Sequence, residues 1–95
     1  MWEVLVIDTC SIDETIHEPV TFIKLDIEGA EIEAIKGARQ TITAYKPKLA
    51  VCIYHKPEDL LTIPTMIHEM VPEYKMFIRQ NGACGFYGTT LYAFI

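Results

Sequence analysis

The chain has 95 residues, room for one small domain, and 51% of them are apolar, enough to build a core. Its formal net charge is −5 and its lysines and arginines do not cluster, which argues against a nucleic-acid backbone and against an anionic membrane as partner. The apolar runs are too short to span a bilayer.

Met1 is followed by Trp2 and Glu3 rather than by a basic segment and a long apolar stretch, so no signal peptide is expected. The cysteines, Cys10, Cys52 and Cys84, are odd in number and widely spaced, unlike a disulfide frame or a zinc site. Cys52 falls in a strand-like run and reads as a buried free thiol. A reducing, cytoplasmic setting is expected.

Val4–Ile7 reads as a strand. Asp8 to Glu18 is polar and irregular, with a helix start at Ser11–Glu14, and Pro19 closes it. Val20–Leu25, rich in β-branched and aromatic residues, reads as a buried strand. Apolar residues at Ile32, Ile35, Ala38, Ile42 and Tyr45 then mark one face of one helix, ended by Lys46–Pro47. Leu49–Tyr54 is apolar throughout, as a strand covered on both faces should be. His55 to Asp59 is a turn that opens a second helix, with its stripe at Leu60, Ile63, Ile67 and Met70. Pro64 fits an early turn of that helix, and Pro72 stops it. Tyr74–Arg79 reads as another buried strand of the same class, Asn81–Gly88 as a loop, and Thr90–Ile95 as a final strand. Alternation of strands and helices predicts an α/β domain with a mostly parallel sheet. The last two strands are joined too tightly for a crossover and should pair antiparallel or flank another strand.

The chemistry concentrates where Val20–Leu25 ends, in Asp26-Ile-Glu-Gly-Ala-Glu31. Ligands of open α/β sheets bind beyond the carboxyl ends of parallel strands. One such end carries Asp26, Glu28 and Glu31, and the next carries Tyr54 and His55. If the two strands are neighbours, acids and a histidine share one crevice, an arrangement suited to proton transfer or binding. Each residue also has a structural reading. Glu31 can complement a helix dipole in the first turn, Asp26 can cap, and Gly29 can supply a positive φ. His55 can be an ordinary hydrogen-bonding group at a strand end. Clustered carboxylates also suit Mg²⁺ or Ca²⁺, but the spacing is not that of a calcium loop, and no metal is assigned.

Four stretches carry a resemblance. Val20-Thr-Phe-Ile-Lys-Leu-Asp-Ile-Glu-Gly-Ala-Glu31, Ile35-Lys-Gly-Ala38, Lys46-Pro-Lys-Leu-Ala50 and Ile53-Tyr-His-Lys-Pro-Glu-Asp-Leu60 resemble the C-terminal half of FkbM-family methyltransferases. Those are S-adenosylmethionine-dependent enzymes, mostly O-methyltransferases acting on sugars and secondary metabolites. The resemblance implies a Rossmann-like sheet whose antiparallel last strand is inserted between two others. On it, Val20–Leu25, Leu49–Tyr54, Tyr74–Arg79 and Thr90–Ile95 are the fourth to seventh strands. It implies that Asp26 lies beside the methyl donor, S-adenosylmethionine, and the reacting oxygen. Glu28, Glu31 and His55 would line the pocket of a small-molecule hydroxyl acceptor.

The family's glycine-rich cofactor turn and its ribose-binding acid are not among these residues, so the chain is expected to be a single partial domain with little or no activity alone. The Val20–Leu25 edge would then be bare, and a bare apolar edge invites association. Val4–Ile7 folding back, a homodimer, or a complementing N-terminal half would cover it. Two other readings stand beside the methyltransferase fragment: a non-catalytic α/β module that associates through that edge, and a small carboxylate–metal hydrolase.

Overall fold

A computed structural model of the chain describes residues 9–80 and 88–95. The strand expected at Val4–Ile7, the loop up to residue 87 and Cys84 lie outside them. The first element is a single helical turn, α1 (Ile12–Thr15), started by Ser11, whose hydroxyl accepts the Glu14 N–H at 3.2 Å.

Among the described residues the sheet has four strands: β1 (Phe22–Leu25), β2 (Lys48–Cys52), β3 (Lys75–Gln80) and β4 (Thr89–Phe94). Their spatial order is β1-β2-β4-β3. β1 and β2 pair in parallel, with Phe22 opposite Lys48 and Leu25 opposite Val51. β4 runs antiparallel to both neighbours, between β2 and β3. The fold is therefore α/β with an inserted antiparallel last strand, as expected. Because β4 interrupts the parallel order, one of the three ladders is parallel and two are antiparallel.

The helical stripe from Ile32 to Tyr45 forms two helices, not one: α2 (Glu31–Lys36) and α3 (Arg39–Tyr45). The break at Gly37 and Ala38 is set by contact with the α1 segment. A Cβ on Gly37 would lie 2.9 Å from the Ser11 Cβ, so only glycine lets the α1 segment come this close. The Asp13 N–H donates to the Gly37 carbonyl at 2.9 Å. Ala38, at the N-cap of α3, has no side chain to cap with, and Asp13 serves instead. Its carboxylate accepts the N–H groups of Gln40 and Thr41, each at 2.9 Å, and the Thr41 hydroxyl at 2.7 Å. The periodicity persists across the break because both helices keep their apolar faces on the sheet.

α3 ends where Lys46 takes a left-handed φ of 48° before Pro47. The second expected helix is α4 (Asp59–Met70). Pro64 lies at its sixth residue, deeper than an early turn, where it removes a backbone bond; next to it, the Thr65 hydroxyl bonds to the Leu61 carbonyl at 2.7 Å. Ile35, Ile42, Ile63 and Ile67 are essentially solvent-free in one core with Leu49, Val51 and Leu91 of the sheet and with Ile53 just beyond β2. Each such side chain contributes about 1.5–3 kcal/mol through burial.

The expectation that Tyr74–Arg79 is buried on both faces is wrong. Among the described residues β3 pairs only with β4, and five of its six residues are exposed, Phe77 and Ile78 among them. An edge strand has one neighbour, so its outer half loses the cover that a central strand receives. Phe77 instead stacks on Tyr92 at 5.0 Å and meets Phe94 edge-on at 5.9 Å. By contrast, β2 is central and buried from Leu49 onward.

Candidate active site at the carboxyl ends of β1 and β2

Because β1 and β2 are adjacent and parallel, the turns that leave them are neighbours. The turn after β1 is tight. Glu28 (φ 58°) and Gly29 (φ 98°) are both left-handed, and the Ala30 N–H returns to the Ile27 carbonyl at 3.2 Å. A Cβ on Gly29 would sit 3.2 Å from the Lys56 Cε. Glu28 is a non-glycine residue in a sparsely populated conformation, and the turn holds it there through Glu31. One Glu31 oxygen accepts the Ile27 N–H at 2.7 Å and the other accepts the Gly29 N–H at 3.1 Å. Glu31 opens α2, yet its side chain is entirely buried. It clamps the turn from inside.

The four residues singled out from the sequence meet around His55. Its Nδ1 lies 3.3 Å from Glu31 Oε2, and its Nε2 lies 3.5 Å from Glu28 Oε2 and 3.7 Å from Asp26 Oδ1. The imidazole is 10% exposed, Asp26 49% and Glu28 87%, so the cluster has a buried floor and an open rim. Both ring nitrogens are buried and neither has a hydrogen-bond partner of good geometry. Tyr54 stacks tilted on His55, with centroids 4.1 Å apart, and its hydroxyl donates to Asp26 Oδ1 at 3.5 Å.

Two residues beyond those four also belong here. Tyr54 was legible only as a strand end; nothing in its spacing shows that its hydroxyl reaches Asp26. Burial, and then the Asp26 charge, pushes the Tyr54 phenol up. Asp59 reads in the sequence as an acid at a helix start, but it is 1% exposed and its carboxylate has no hydrogen-bond partner. Burial, and then the Glu31 charge, pushes the Asp59 carboxyl up. Cys52 is a buried free thiol, raised by burial and by Asp26, and Cys10 is free and exposed.

Asp26 also faces the opposite side of the sheet. There a cavity of about 350 Å³ is lined by Lys24, Asp26, Cys52, Tyr54, Thr90 and Tyr92, among others. One carboxylate thus stands between an open cavity and a buried imidazole. The arrangement can orient a hydroxyl, accept its proton, or hold a cation.

Residues 3–85 match the family model described as the methyltransferase FkbM domain. The chain belongs to that family. It is also similar to a crystal structure of methyltransferase FkbM from Methylobacillus flagellatus KT, with 42% identity and a TM-score of 0.82. The match covers 87% of this chain and 22% of that one. No curated protein matches the chain. The residues matched to the FkbM family model include β1, β2, β3 and the Asp26–Glu31 turn. None of the helices among the described residues is long and apolar enough to cross a membrane.

Proposed function

We propose that this FkbM chain carries the acceptor side of an S-adenosylmethionine-dependent O-methyltransferase site, acting on a hydroxyl of a sugar or secondary metabolite in a cytoplasmic setting. The observation that carries the reading is the position of Asp26, which borders the open cavity and lies 3.7 Å from His55 Nε2. The donor supplies an electrophilic methyl group on a sulfonium sulfur. A carboxylate beside that position suits its positive charge, so Asp26 is the residue assigned to the donor. The acceptor oxygen forms the new C–O bond as the S–CH3 bond breaks, and S-adenosylhomocysteine leaves. Asp26 or His55 takes the hydroxyl proton. Glu28 and Tyr54 orient the acceptor, and Glu31 holds the turn that fixes them.

Because the chain spans 22% of its structural relative, the remaining donor contacts are assigned to a complementing N-terminal half, and the chain alone is expected to have little activity. Calorimetric titration with S-adenosylhomocysteine, alone and against Asp26→Ala, tests this. Binding that the variant loses supports a donor site at Asp26. Binding that the variant keeps removes Asp26 from it.

A second reading follows from β1. Among the described residues its outer edge has no strand partner, and Phe22 on it is 56% exposed. A non-catalytic module would use this edge to pair with a second copy or a complementing half. Light scattering separates the readings: a monomer whose β1 amides exchange freely has no partner at that edge.

A further inference from the structure

We propose that Asp26, Glu31 and His55 form a site for one divalent transition-metal ion, of the class that takes mixed nitrogen and oxygen ligands, such as Mn²⁺ or Zn²⁺. One donor atom from each residue lies within 4.8 Å of those of the other two. Ligand bonds of about 2.0–2.2 Å place neighbouring donors roughly 3–3.5 Å apart, so the Asp26 carboxylate and the His55 ring must turn toward the fixed Glu31 to close the remaining distance. Glu31 and Asp26 approach the ring at different nitrogens, 3.3 Å from Nδ1 and 3.7 Å from Nε2, so the ion takes one nitrogen and the other keeps its carboxylate neighbour.

The second observation is the imidazole itself. His55 is nine-tenths buried, and both nitrogens lack a hydrogen-bond partner while each faces a carboxylate. A buried polar group without a partner is costly, and a metal bond satisfies one of the two nitrogens. Glu31 is held in place by two backbone N–H groups, so one ligand is preorganised before any ion arrives. Asp26, Glu28 and Glu31 form no ion pair with a lysine or arginine among the described residues. Their mutual repulsion is what a dication would offset. The open rim at Asp26 and Glu28 leaves coordination positions for water or a ligand oxygen. An imidazole with two carboxylates suits Mn²⁺ or Zn²⁺ better than Ca²⁺ or Mg²⁺, which favour all-oxygen shells. The metal site stands on this donor geometry and not on methyl transfer. If both hold, the ion would also polarise the acceptor hydroxyl.

Titrating the chain with Mn²⁺, and following free Mn²⁺ by electron paramagnetic resonance, tests the site without any methyl donor. One saturable Mn²⁺ per chain, displaced by Zn²⁺, is expected. Asp26→Asn and His55→Gln should each weaken it at least tenfold, since loss of even an outer-sphere partner costs about 10–100-fold. Glu33→Gln, an exposed acid paired with Lys36 on α2, should leave it unchanged. Circular dichroism checks that each variant is folded; Asp26 is half exposed, so Asp26→Asn keeps the test decisive if His55→Gln unfolds. Absence of saturable binding overturns the proposal, as does equal affinity in folded Asp26→Asn. Loss of donor binding in calorimetry, with Mn²⁺ binding intact, would sink only the methyl-transfer reading.

Discussion

Glu31 Oε2 lies 3.3 Å from His55 Nδ1 while accepting the Ile27 N–H, so one buried oxygen links the turn after β1 to the turn after β2. Glu31→Ala should therefore damage the fold before it damages any chemistry. Two hydrogen bonds to a charged group, each worth roughly 1.5–3 kcal/mol, are lost, so a loss of about 3 kcal/mol is expected in urea unfolding. A change below about 0.5 kcal/mol, the scatter of ordinary surface substitutions, would show that the clamp is incidental.

Asp13 caps α3 from 28 residues away. Asp13→Ala should cost about 1–2 kcal/mol, the range for a strong N-cap. Burial pushes the Asp13 carboxyl up, but its bonds from Thr41 and Gln40 outweigh that and hold it below its ordinary value. A lowered folded value means that the stabilisation is complete above about pH 3.9, the unfolded value, and is lost as pH falls through the folded one. The stability gap between the native chain and Asp13→Asn should thus shrink in acid. A gap independent of pH would refute the cap.

The Tyr74 hydroxyl donates to the Pro47 carbonyl in a buried contact between the residue just before β3 and the residue just before β2. Tyr74→Phe leaves that carbonyl without its partner, at a cost of about 1–3 kcal/mol. Burial, and then Glu73, pushes the Tyr74 phenol up to about 12. Between about pH 10, the unfolded value, and 12, the folded chain keeps a proton that the unfolded chain has released, so stability falls as pH rises. Thermal melts should show the native chain losing its advantage over Tyr74→Phe across that window. Parallel curves would argue against it.

Gly37→Ala places a methyl group 2.9 Å from the Ser11 Cβ. Overpacking of this kind costs about 1–3 kcal/mol. Ser11→Gly removes the obstructing atom and loses only a few tenths as an N-cap. The double variant should recover most of the loss, giving a clear coupling energy in a double-mutant cycle. Strict additivity would mean that the helix break does not depend on α1.

The parts of this architecture legible in the sequence were those set by periodicity and chain direction. The strands at Val20–Leu25 and Leu49–Tyr54, and the helix from Asp59, appeared within a few residues of their places. So did the meeting of Asp26, Glu28, Glu31 and His55, because parallel neighbouring strands expose their carboxyl ends together. The illegible parts depend on distant contacts. Nothing near Gly37 announces that Ser11 and Asp13 will dock there. Phe77 and Ile78 are as apolar as a central strand, and only the strand order leaves them exposed. Asp59 looks like any acid at a helix start, and its burial follows from packing that local pattern does not encode.

The position of β4 bears on how the chain is made. β3 has no ladder with β2; its bonds run to β4, which a ribosome delivers later. The sheet must therefore close from the outside inward, with its spacer arriving after both flanks have been synthesised. Until then Leu49 and Val51 of β2 lack the strand that pairs with them, and the facing edges of β2 and β3 both stand open. Long-range pairing of this sort is slow and exposes apolar surface during synthesis. A premature stop before Thr89 would remove the one strand that joins β2 to β3, splitting the sheet rather than shortening it.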